Sequence, residues 1–384
     1  MKNNWQIKEI DDVCEVEYGT RVVNKRDGGS VYSVYGGGGA TFHMDTFNRE
    51  DRMVVARFAM SERCTRFVKG KFFLNDSGLT LSPKNKESMN QHFLDWQLLS
   101  LNDLIYSLAK GSAQKNLDLP AFRKVNITYP ESIDEQKRIV KKLDKIFEEL
   151  EEAKETAEKN LQNTRELFES YLNNLFSLPR ENWITQKLVN VTSKIGSGAT
   201  PRGGQKSYKE TGMSLVRSMN VHDRRFVDKK LALIDKAQAD ALSNVALEAG
   251  DVLLNITGAS VARSCVLPKE YLPGRVNQHV SIIRVNKDIL DFQFLNYLLT
   301  SKIYKDKLLI IGGQGATRQA ITKKQLEELV VSFPETVVEQ KNLVKKLESL
   351  SLEVKKLEEI YMRKITTLEE LKKSVLAKAF SGEL

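Results

Sequence analysis

The stretch Pro130-Glu131-Ser132-Ile133-Asp134-Glu135-Gln136-Lys137-Arg138-Ile139-Val140-Lys141-Lys142-Leu143 returns as Pro334-Glu335-Thr336-Val337-Val338-Glu339-Gln340-Lys341-Asn342-Leu343-Val344-Lys345-Lys346-Leu347, displaced by 204 residues. Held without gaps, that displacement aligns 130–177 with 334–381 and gives 17 identities in 48 positions, ending with Phe176-Ser177 on Phe380-Ser381. Chance similarity between two helices does not keep one register so long, so the chain is an internal duplication. The halves also open alike, Trp5-Gln6-Ile7-Lys8-Glu9-Ile10 and Trp183-Ile184-Thr185-Gln186-Lys187-Leu188, at a displacement of 178. The second half therefore carries 26 more residues ahead of its helix.

Outward from the repeat, the 384 residues divide into globular 1–134, helical 135–178, globular 179–334 and helical 335–384. That agrees with the two or three domains of about 150 residues that such a length implies. In the first helical segment Ile139, Leu143, Ile146, Leu150, Ala153 and Ala157 step by four and three, and the same period carried on reaches Leu167 and Tyr171. The second repeats the seam with Leu343, Leu347, Leu350, Val354, Leu357 and Tyr361, then Leu368, Leu371 and Val375. Asn160 and Lys364 are polar breaks at equivalent seam positions. This is the heptad of a coiled coil, and each helix has the other as its partner. About 43 residues at 1.5 Å each make a rod of roughly 65 Å, long enough to hold two bodies apart.

The globular segments read differently. Runs such as Met53-Val54-Val55-Ala56-Arg57-Phe58, Asp251-Val252-Leu253-Leu254-Asn255-Ile256 and Val280-Ser281-Ile282-Ile283-Arg284-Val285 alternate with glycine clusters, as strands joined by tight loops do. Amphipathic stretches at 93–108 and 292–309 supply helices, so each globular half is α+β. The loops at Gly36-Gly37-Gly38-Gly39, Gly196-Ser197-Gly198 and Gly312-Gly313-Gln314-Gly315 are the expected functional surface.

Charge sharpens this. There are 59 Lys and Arg against 50 Asp and Glu, a net charge of +9. Residues 1–134 carry +1, 135–178 carry −2, 179–334 carry +9 and 335–384 carry +1. In the second globular half the basic residues fall in or beside the loops: Arg202, Lys206, Arg217, Arg224, Arg225, Arg263, Arg275 and Arg318. The matching set in the first is Arg21, Lys25, Arg26, Arg49, Arg52, Arg57, Arg63 and Arg66. Charge alone fits a solvated surface as well as a nucleic-acid face. Arginine near turns with Asn and Gln interleaved favours base reading, since Arg pairs with guanine and Asn or Gln with adenine edges.

Catalytic constellations are missing. Cys14, Cys64 and Cys265 are too scattered to chelate, and His43, His92, His222 and His279 lack ligand spacing, which argues against zinc. No G-x-x-x-x-G-K-[ST] phosphate loop is present, and the glycine run at 36–39 reads as a turn. Acidic pairs such as Glu148-Glu149 and Glu358-Glu359 sit on heptad flanks, where solvated charge is expected. With 41% hydrophobic and 28% charged residues and no apolar run near 20 residues, membrane and fibrous classes are out. Residues 1–12 carry acids and a tryptophan where a secretory signal needs a basic start and an apolar run, so the expectation is a cytoplasmic protein.

Five elements then fall in one order: Gly196-Ser197-Gly198-Ala199-Thr200-Pro201, Gly250-Asp251-Val252-Leu253-Leu254-Asn255-Ile256-Thr257-Gly258, Asn277-Gln278-His279-Val280, the Pro-Glu…Glu-Gln-Lys helix openings, and Ala379-Phe380-Ser381-Gly382-Glu383-Leu384. Together, on a duplicated frame, they make the chain resemble the specificity subunit of type I restriction-modification systems over its whole length. In the first half Val34-Tyr35-Gly36-Gly37-Gly38-Gly39 fits the family, and no counterpart of Asn255-Ile256-Thr257-Gly258 is evident. The resemblance implies an α+β protein with two target recognition domains, 1–134 and 179–334, separated by a long antiparallel two-helix coiled coil with an internal pseudo-twofold repeat. It implies that each domain reads one half of a bipartite site on double-stranded DNA. It places the chemistry in other chains: two methyltransferase subunits that bind S-adenosylmethionine and methylate adenine, and restriction subunits that use ATP and Mg. The chain itself would be non-catalytic and hold no cofactor. Candidate DNA-contacting residues are Arg21, Arg49, Arg52, Arg57, Gln114, Lys115, Arg202, Lys206, Arg217, Arg224, Arg225, Arg263, Asn277, Arg318 and Gln319.

Two other classes compete. A methyltransferase needs a cofactor-binding glycine loop and an Asn/Asp-Pro-Pro-aromatic pocket, and this chain has no Pro-Pro. A coiled-coil protein-protein scaffold with merely soluble basic heads would protect no specific DNA sequence.

Overall fold

The tryptophan that opens each half lies opposite the proline that closes it. β1 (Trp5–Glu9) runs antiparallel to β10 (Asn126–Pro130) with Trp5 against Pro130, and β11 (Trp183–Lys187) runs antiparallel to β21 (Val330–Pro334) with Trp183 against Pro334. The computed structural model describes residues 4–177, 180–313 and 319–384. They fall into two compact units, Met1–Lys159 with Tyr361–Leu384 and Asn160–Ile360. The division cuts across both long helices, Ile133–Ser177 and Val337–Phe380, so each unit holds one globular head and a part of each helix.

In the first unit β2 (Cys14–Tyr18), β3 (Tyr32–Gly36), β4 (Gly39–Met44), β5 (Arg49–Ala56), β6 (Thr65–Leu74) and β7 (Gly78–Pro83) form one sheet in the order β2-β7-β5-β6-β3-β4. A two-residue ladder, β8 (Ala109–Lys110) and β9 (Asn116–Leu117), stands apart. Strand alternation divides β5: Met53 and Val55 enter the main core while Val54 joins Val68, Phe72 and Leu74 in a smaller apolar cluster. On the main-core side lies the helix Gln91–Ser100, capped by Asn90, whose side chain accepts from the Phe93 N–H at 3.1 Å. Phe93 is fully buried, with ring centroids 6.4 Å from Trp5 and 5.3 Å from Phe380.

The second unit repeats this joint. Asp291 caps the helix Phe292–Thr300 through the Phe294 N–H at 2.9 Å, and Phe294 lies 5.6 Å from Trp183 and 5.5 Å from Phe176. Phe176 and Phe380 are related by the 204-residue displacement. The repeated glutamine also has a physical role. Gln136 Oε1 accepts from Asn90 N–H, and its Nε2 donates to the carbonyls of Ser88 and Pro130. Gln340 does the same with Asp291, Ile289 and Pro334. Both side chains are fully buried with both ends satisfied, so each glutamine ties a long helix to the capped helix and closing strand of its head.

The second head uses two larger sheets. β12 (Thr192–Ser197), β20 (Val280–Val285), β17 (Val252–Asn255) and β18 (Ser264–Val266) lie side by side in that order; β16 (Ala232–Ile234), β13 (Met213–Val216) and β19 (Gly274–Val276) form another sheet, and β14 (Val221–His222) pairs with β15 (Arg225–Phe226). In the first unit β6 pairs with β5 from Thr65 to Phe72 and, in parallel, with β3 at Phe73 and Leu74. In the second those tasks fall to two strands, β18 on β17 and β19 in parallel on β13. The buried side chains divide accordingly, one cluster around Leu254, Ile283 and Phe294 and another around Leu215, Leu253, Val276 and Ile282.

The helix seam holds where the heads grip it. Ile139, Leu143, Leu150 and Ala157 are buried, as are Leu347 and Val354; Ile146, Leu343, Leu350 and Tyr361 are half-buried. It departs from strict heptads farther along. Leu167 (53%), Tyr171 (40%), Leu357 (39%) and Leu371 (45%) are exposed, and the buried stripe of the first helix moves to Thr164, Phe168, Leu172 and Leu175. A straight helix drifts about 20° per heptad against a 3.5 repeat, which shifts the inward face by one residue after several turns. In the first unit Lys372 pairs with Glu151 and Lys154 with Glu369 at 2.5 Å, an order of contacts that makes the helix segments antiparallel, and in the second Arg165 pairs with Glu358 at 3.1 Å. The 204-residue displacement converts the Lys154 pair into the Arg165 pair with the charges exchanged.

Candidate nucleic-acid interface

At one end of the second head's four-stranded sheet, several loops meet through hydrogen bonds. Thr257 Oγ1 lies 2.6 Å from His279 Nδ1, Gln278 Nε2 lies 3.2 Å from His279 Nε2, and Thr200 Oγ1 donates to Gln278 Oε1 at 2.5 Å. Asn277 turns the chain: its Oδ1 accepts from His279 N–H at 3.0 Å, its side chain is buried, and Gln278 is thereby presented to solvent. Asn255 is fully buried, its Nδ2 bonding the carbonyls of Ser218 and Val221. The exposed Gln319 accepts from Gly258 N–H through its carbonyl. The two motifs read from sequence as 255–258 and 277–280 thus form one polar surface.

The first head carries the same backbone frame with other side chains. Ile256 N–H bonds His279 O, and Ile321 N–H bonds Ile256 O; in the first head Arg57 N–H bonds Ser77 O, and Leu117 N–H bonds Arg57 O. Asn277 N–H bonds Val216 O, as Asn75 N–H bonds Tyr35 O. Asn75 Oδ1 accepts from Ser77 N–H at 2.9 Å, matching Asn277 and His279. Ala56-Arg57-Phe58-Ala59 is therefore the counterpart of Asn255-Ile256-Thr257-Gly258 that the sequence does not reveal, for no residue is shared. Each head also places a glycine just past its second strand. A Cβ on Gly19 would lie 1.9 Å from Asn75 O, and one on Gly198 would lie 1.7 Å from Val276 O. Only glycine admits that approach.

The candidates separate on this frame. Arg21, exposed, follows the Gly19-Thr20 turn, while Lys115 reaches Tyr106 Oη at 3.0 Å beside the Arg57 strand; Gln114 is its exposed neighbour. Arg57 rests 5.0 Å from the Tyr18 ring centre and 4.6 Å from that of Phe58. Arg49 is occupied within the head, donating to Thr80 Oγ1 and to the carbonyls of Asn48 and Tyr18, and Arg52 lies on β5 facing Asp95. In the second head Arg202 and Lys206 are exposed in the loop after Thr200, and Arg263 is half-exposed at the end of the 255–263 turn. Arg217 lies 5.2 Å from the Tyr208 ring centre and bonds the Lys230 carbonyl. Arg225 is exposed on β15, but Arg224 points into the helix joint, paired with Glu169 and 5.0 Å from the Phe168 ring centre. Arg275 is held by the carbonyls of Ala239 and Gly274. Arg318 and Gln314 to Gly315 lie outside the described residues. Thr200, Thr257, Gln278 and His279 entered from sequence only within the quoted motifs and Arg66, which lies beside Gly39, only within the basic set; none was among the candidate contacts. The available signal was Asn277, since a turn-forming Asn presents the residue after it.

Burial pushes the thiols of Cys14 and Cys265 up to about 12 and that of Cys64 to about 11, leaving them neutral at physiological pH. Among the described residues no group of three or more His, Cys, Asp or Glu could hold a metal, and no helix is long and apolar enough to cross a membrane.

Comparison with known proteins adds to this geometry. The family described as type I restriction modification DNA specificity domain matches residues 2–159 and again 193–362. A protein described as a type I restriction enzyme MjaX specificity subunit, from Methanocaldococcus jannaschii, is 25% identical over 338 residues, covering 82% of this chain and 73% of that one. The EcoBI specificity subunit of Escherichia coli is 24% identical over 216 residues, 56% of this chain and 44% of its own. Among solved structures, a chain from work on complex assembly and conformational transition of the type I R-M system superposes with a TM-score of 0.77 at 18% identity, covering 100% of this chain and 99% of that one. The HsdS subunit of Thermoanaerobacter tengcongensis gives 0.60 at 18% identity, covering 100% and 98%. With the family matched twice across most of its length, the chain belongs to the type I restriction-modification DNA specificity family.

Proposed function

We propose that the two heads each read one half of a bipartite DNA site, that the paired long helices set the spacing between the halves and offer equivalent docking surfaces to two methyltransferase subunits, and that methylation and cleavage take place in those and in restriction subunits. The observation that carries this reading is the shared loop frame: the same backbone bonds hold Arg57 beside Ser77 in one head and Ile256 and Thr257 beside His279 in the other. A conserved scaffold with exchanged side chains is what two readers of different sequences need, because hydrogen bonds to base edges specify and backbone contacts only position. The net charge of +9 in 179–334 supplies attraction to phosphates. A protein-protein scaffold leaves unexplained why exposed Gln278 and half-exposed His279 and Thr257 converge beside Arg202 and Arg263. Sequencing modified adenines in a host expressing this chain with its methyltransferase tests the reading. An asymmetric two-part motif with a nonspecific spacer is expected. A single contiguous motif, or methylation without sequence preference, overturns it.

A further inference from the structure

Thr200, Gln278, His279 and Thr257 form one run of hydrogen bonds across the loops of the second head. Thr200 Oγ1 donates to Gln278 Oε1 at 2.5 Å, and Gln278 Nε2 lies 3.2 Å from His279 Nε2. An amide nitrogen only donates, so His279 Nε2 accepts, and the neutral ring carries its hydrogen on Nδ1, which gives it to Thr257 Oγ1 at 2.6 Å. Gln278 uses one of its two amide hydrogens and one lone pair of its carbonyl oxygen on these neighbours. The side chain is exposed, so a donor and an acceptor on one flat group remain for a ligand. Turning every bond of the run round would satisfy the same atoms and still leave Gln278 one donor and one acceptor.

The fold does not need this run. The first head keeps the same turn, Asn75 Oδ1 accepting from Ser77 N–H as Asn277 Oδ1 accepts from His279 N–H, but Asp76 and Ser77 stand where Gln278 and His279 do. Ser77 Oγ donates back to Asn75 Oδ1, and a carboxylate at 76 has no hydrogen to give. The turn asparagine is thus common to both heads while the held amide belongs to one, as a group that selects a base would. In the major groove adenine shows an acceptor, N7, beside a donor on N6; guanine shows two acceptors, cytosine one donor, and thymine one acceptor and a methyl group. One donor beside one acceptor matches adenine alone. Resting on the reading that the second head recognises one half-site, we infer that Gln278 contacts an adenine of that half and that His279 is the positioning residue that holds its amide for the contact. A side chain tethered at both ends of its amide loses less rotamer freedom on binding, which is what His279 and Thr200 contribute.

The test is competition binding by the complex of the full chain with its methyltransferase subunits, using duplexes in which each base pair of the mapped motif is replaced in turn. At one A·T pair of one half, 7-deazaadenine, which lacks the N7 acceptor, should weaken binding by the wild-type complex about tenfold or more and make no difference to Gln278→Ala. Gln278→Glu, whose carboxylate only accepts, should turn the preference at that pair from adenine to cytosine. His279→Ala should lower discrimination at that pair about tenfold and leave every other position unchanged. His279→Gln, which returns an amide to the place of Nε2, should restore it, whereas a merely structural histidine would shift all positions of the half together. An unchanged preference in Gln278→Glu, equal wild-type binding of adenine and 7-deazaadenine at every A·T pair, or a His279→Ala loss spread over the half overturns the inference while the two-part motif stands. A wild-type motif of one part overturns the reading beneath it as well.

Discussion

The two heads carry different side chains on loops held by the same backbone bonds. In one, Arg57 lies against Tyr18 and Phe58 and the turn behind it is Asn75 to Ser77; in the other, Thr257 meets His279 and the turn is Asn277 to His279. One long strand, β6, serves the first head where β18 and β19 serve the second. The joints to the helices, by contrast, agree residue for residue: Trp5, Phe93, Phe380 and Gln136 against Trp183, Phe294, Phe176 and Gln340. A change of a loop side chain leaves the buried joint untouched, whereas a change at the joint loosens the head from its helix.

The joint gives the largest expected effect. Phe93→Ala and Phe294→Ala each remove a fully buried ring and should cost about 3–5 kcal/mol. Hydrogen exchange should show the loss confined to the unit that carries the change. Equal loss of protection in both units would break the picture of two independently cored heads.

A smaller difference separates Asp95 from its equivalent, Asn296. Burial raises the Asp95 carboxyl to about 6, so its protonated form suits the folded state. The stabilising contribution is then complete below the unfolded value near 4 and is lost as pH rises through about 6, a change of at most about 3 kcal/mol at ~1.4 kcal/mol per unit. Denaturation of the first unit should become easier over that window and flatten in Asp95→Asn, while the second unit lacks this dependence because Asn296 does not titrate. A first-unit profile unchanged by Asp95→Asn would assign the pH dependence elsewhere.

The helix ion pairs are worth least. Lys154 holds the Glu369 carboxyl below its ordinary range, but both groups are partly solvated, and a double-mutant cycle should return about 0.2–1 kcal/mol, diminishing with salt. Lys154→Glu with Glu369→Lys copies the charge order of Arg165 and Glu358 and should recover what either single change loses. Failure to recover would mean that the helix register is set by other contacts.

The duplication, the α+β heads and the helix seam were legible because identity at a fixed displacement and apolar periodicity are properties of sequence. The pairing of Trp5 with Pro130 explains why those two residues mark the ends of each repeat. What stayed hidden depends on backbone bonds or accumulated geometry. Arg57 and Ile256 correspond only through their carbonyl partners, Gln136 read as part of a helix opening until its buried bonds were visible, and Leu167 and Tyr171 fell off the seam through helical drift. Among the candidate contacts, charge identified arginines but could not separate Arg49 and Arg224, occupied inside the protein, from Arg21 and Arg202, which face solvent.

The central claim, that one frame presents different readers for two half-sites, is tested most directly by mapping methylated sites made by the complex carrying Gln278→Ala and, separately, Arg57→Ala. Loss of a base contact worth about 1–3 kcal/mol should relax one half of the motif in the first variant and the other half in the second, with the spacer unchanged. Relaxation of both halves by either change, or of the same half by both, would contradict it.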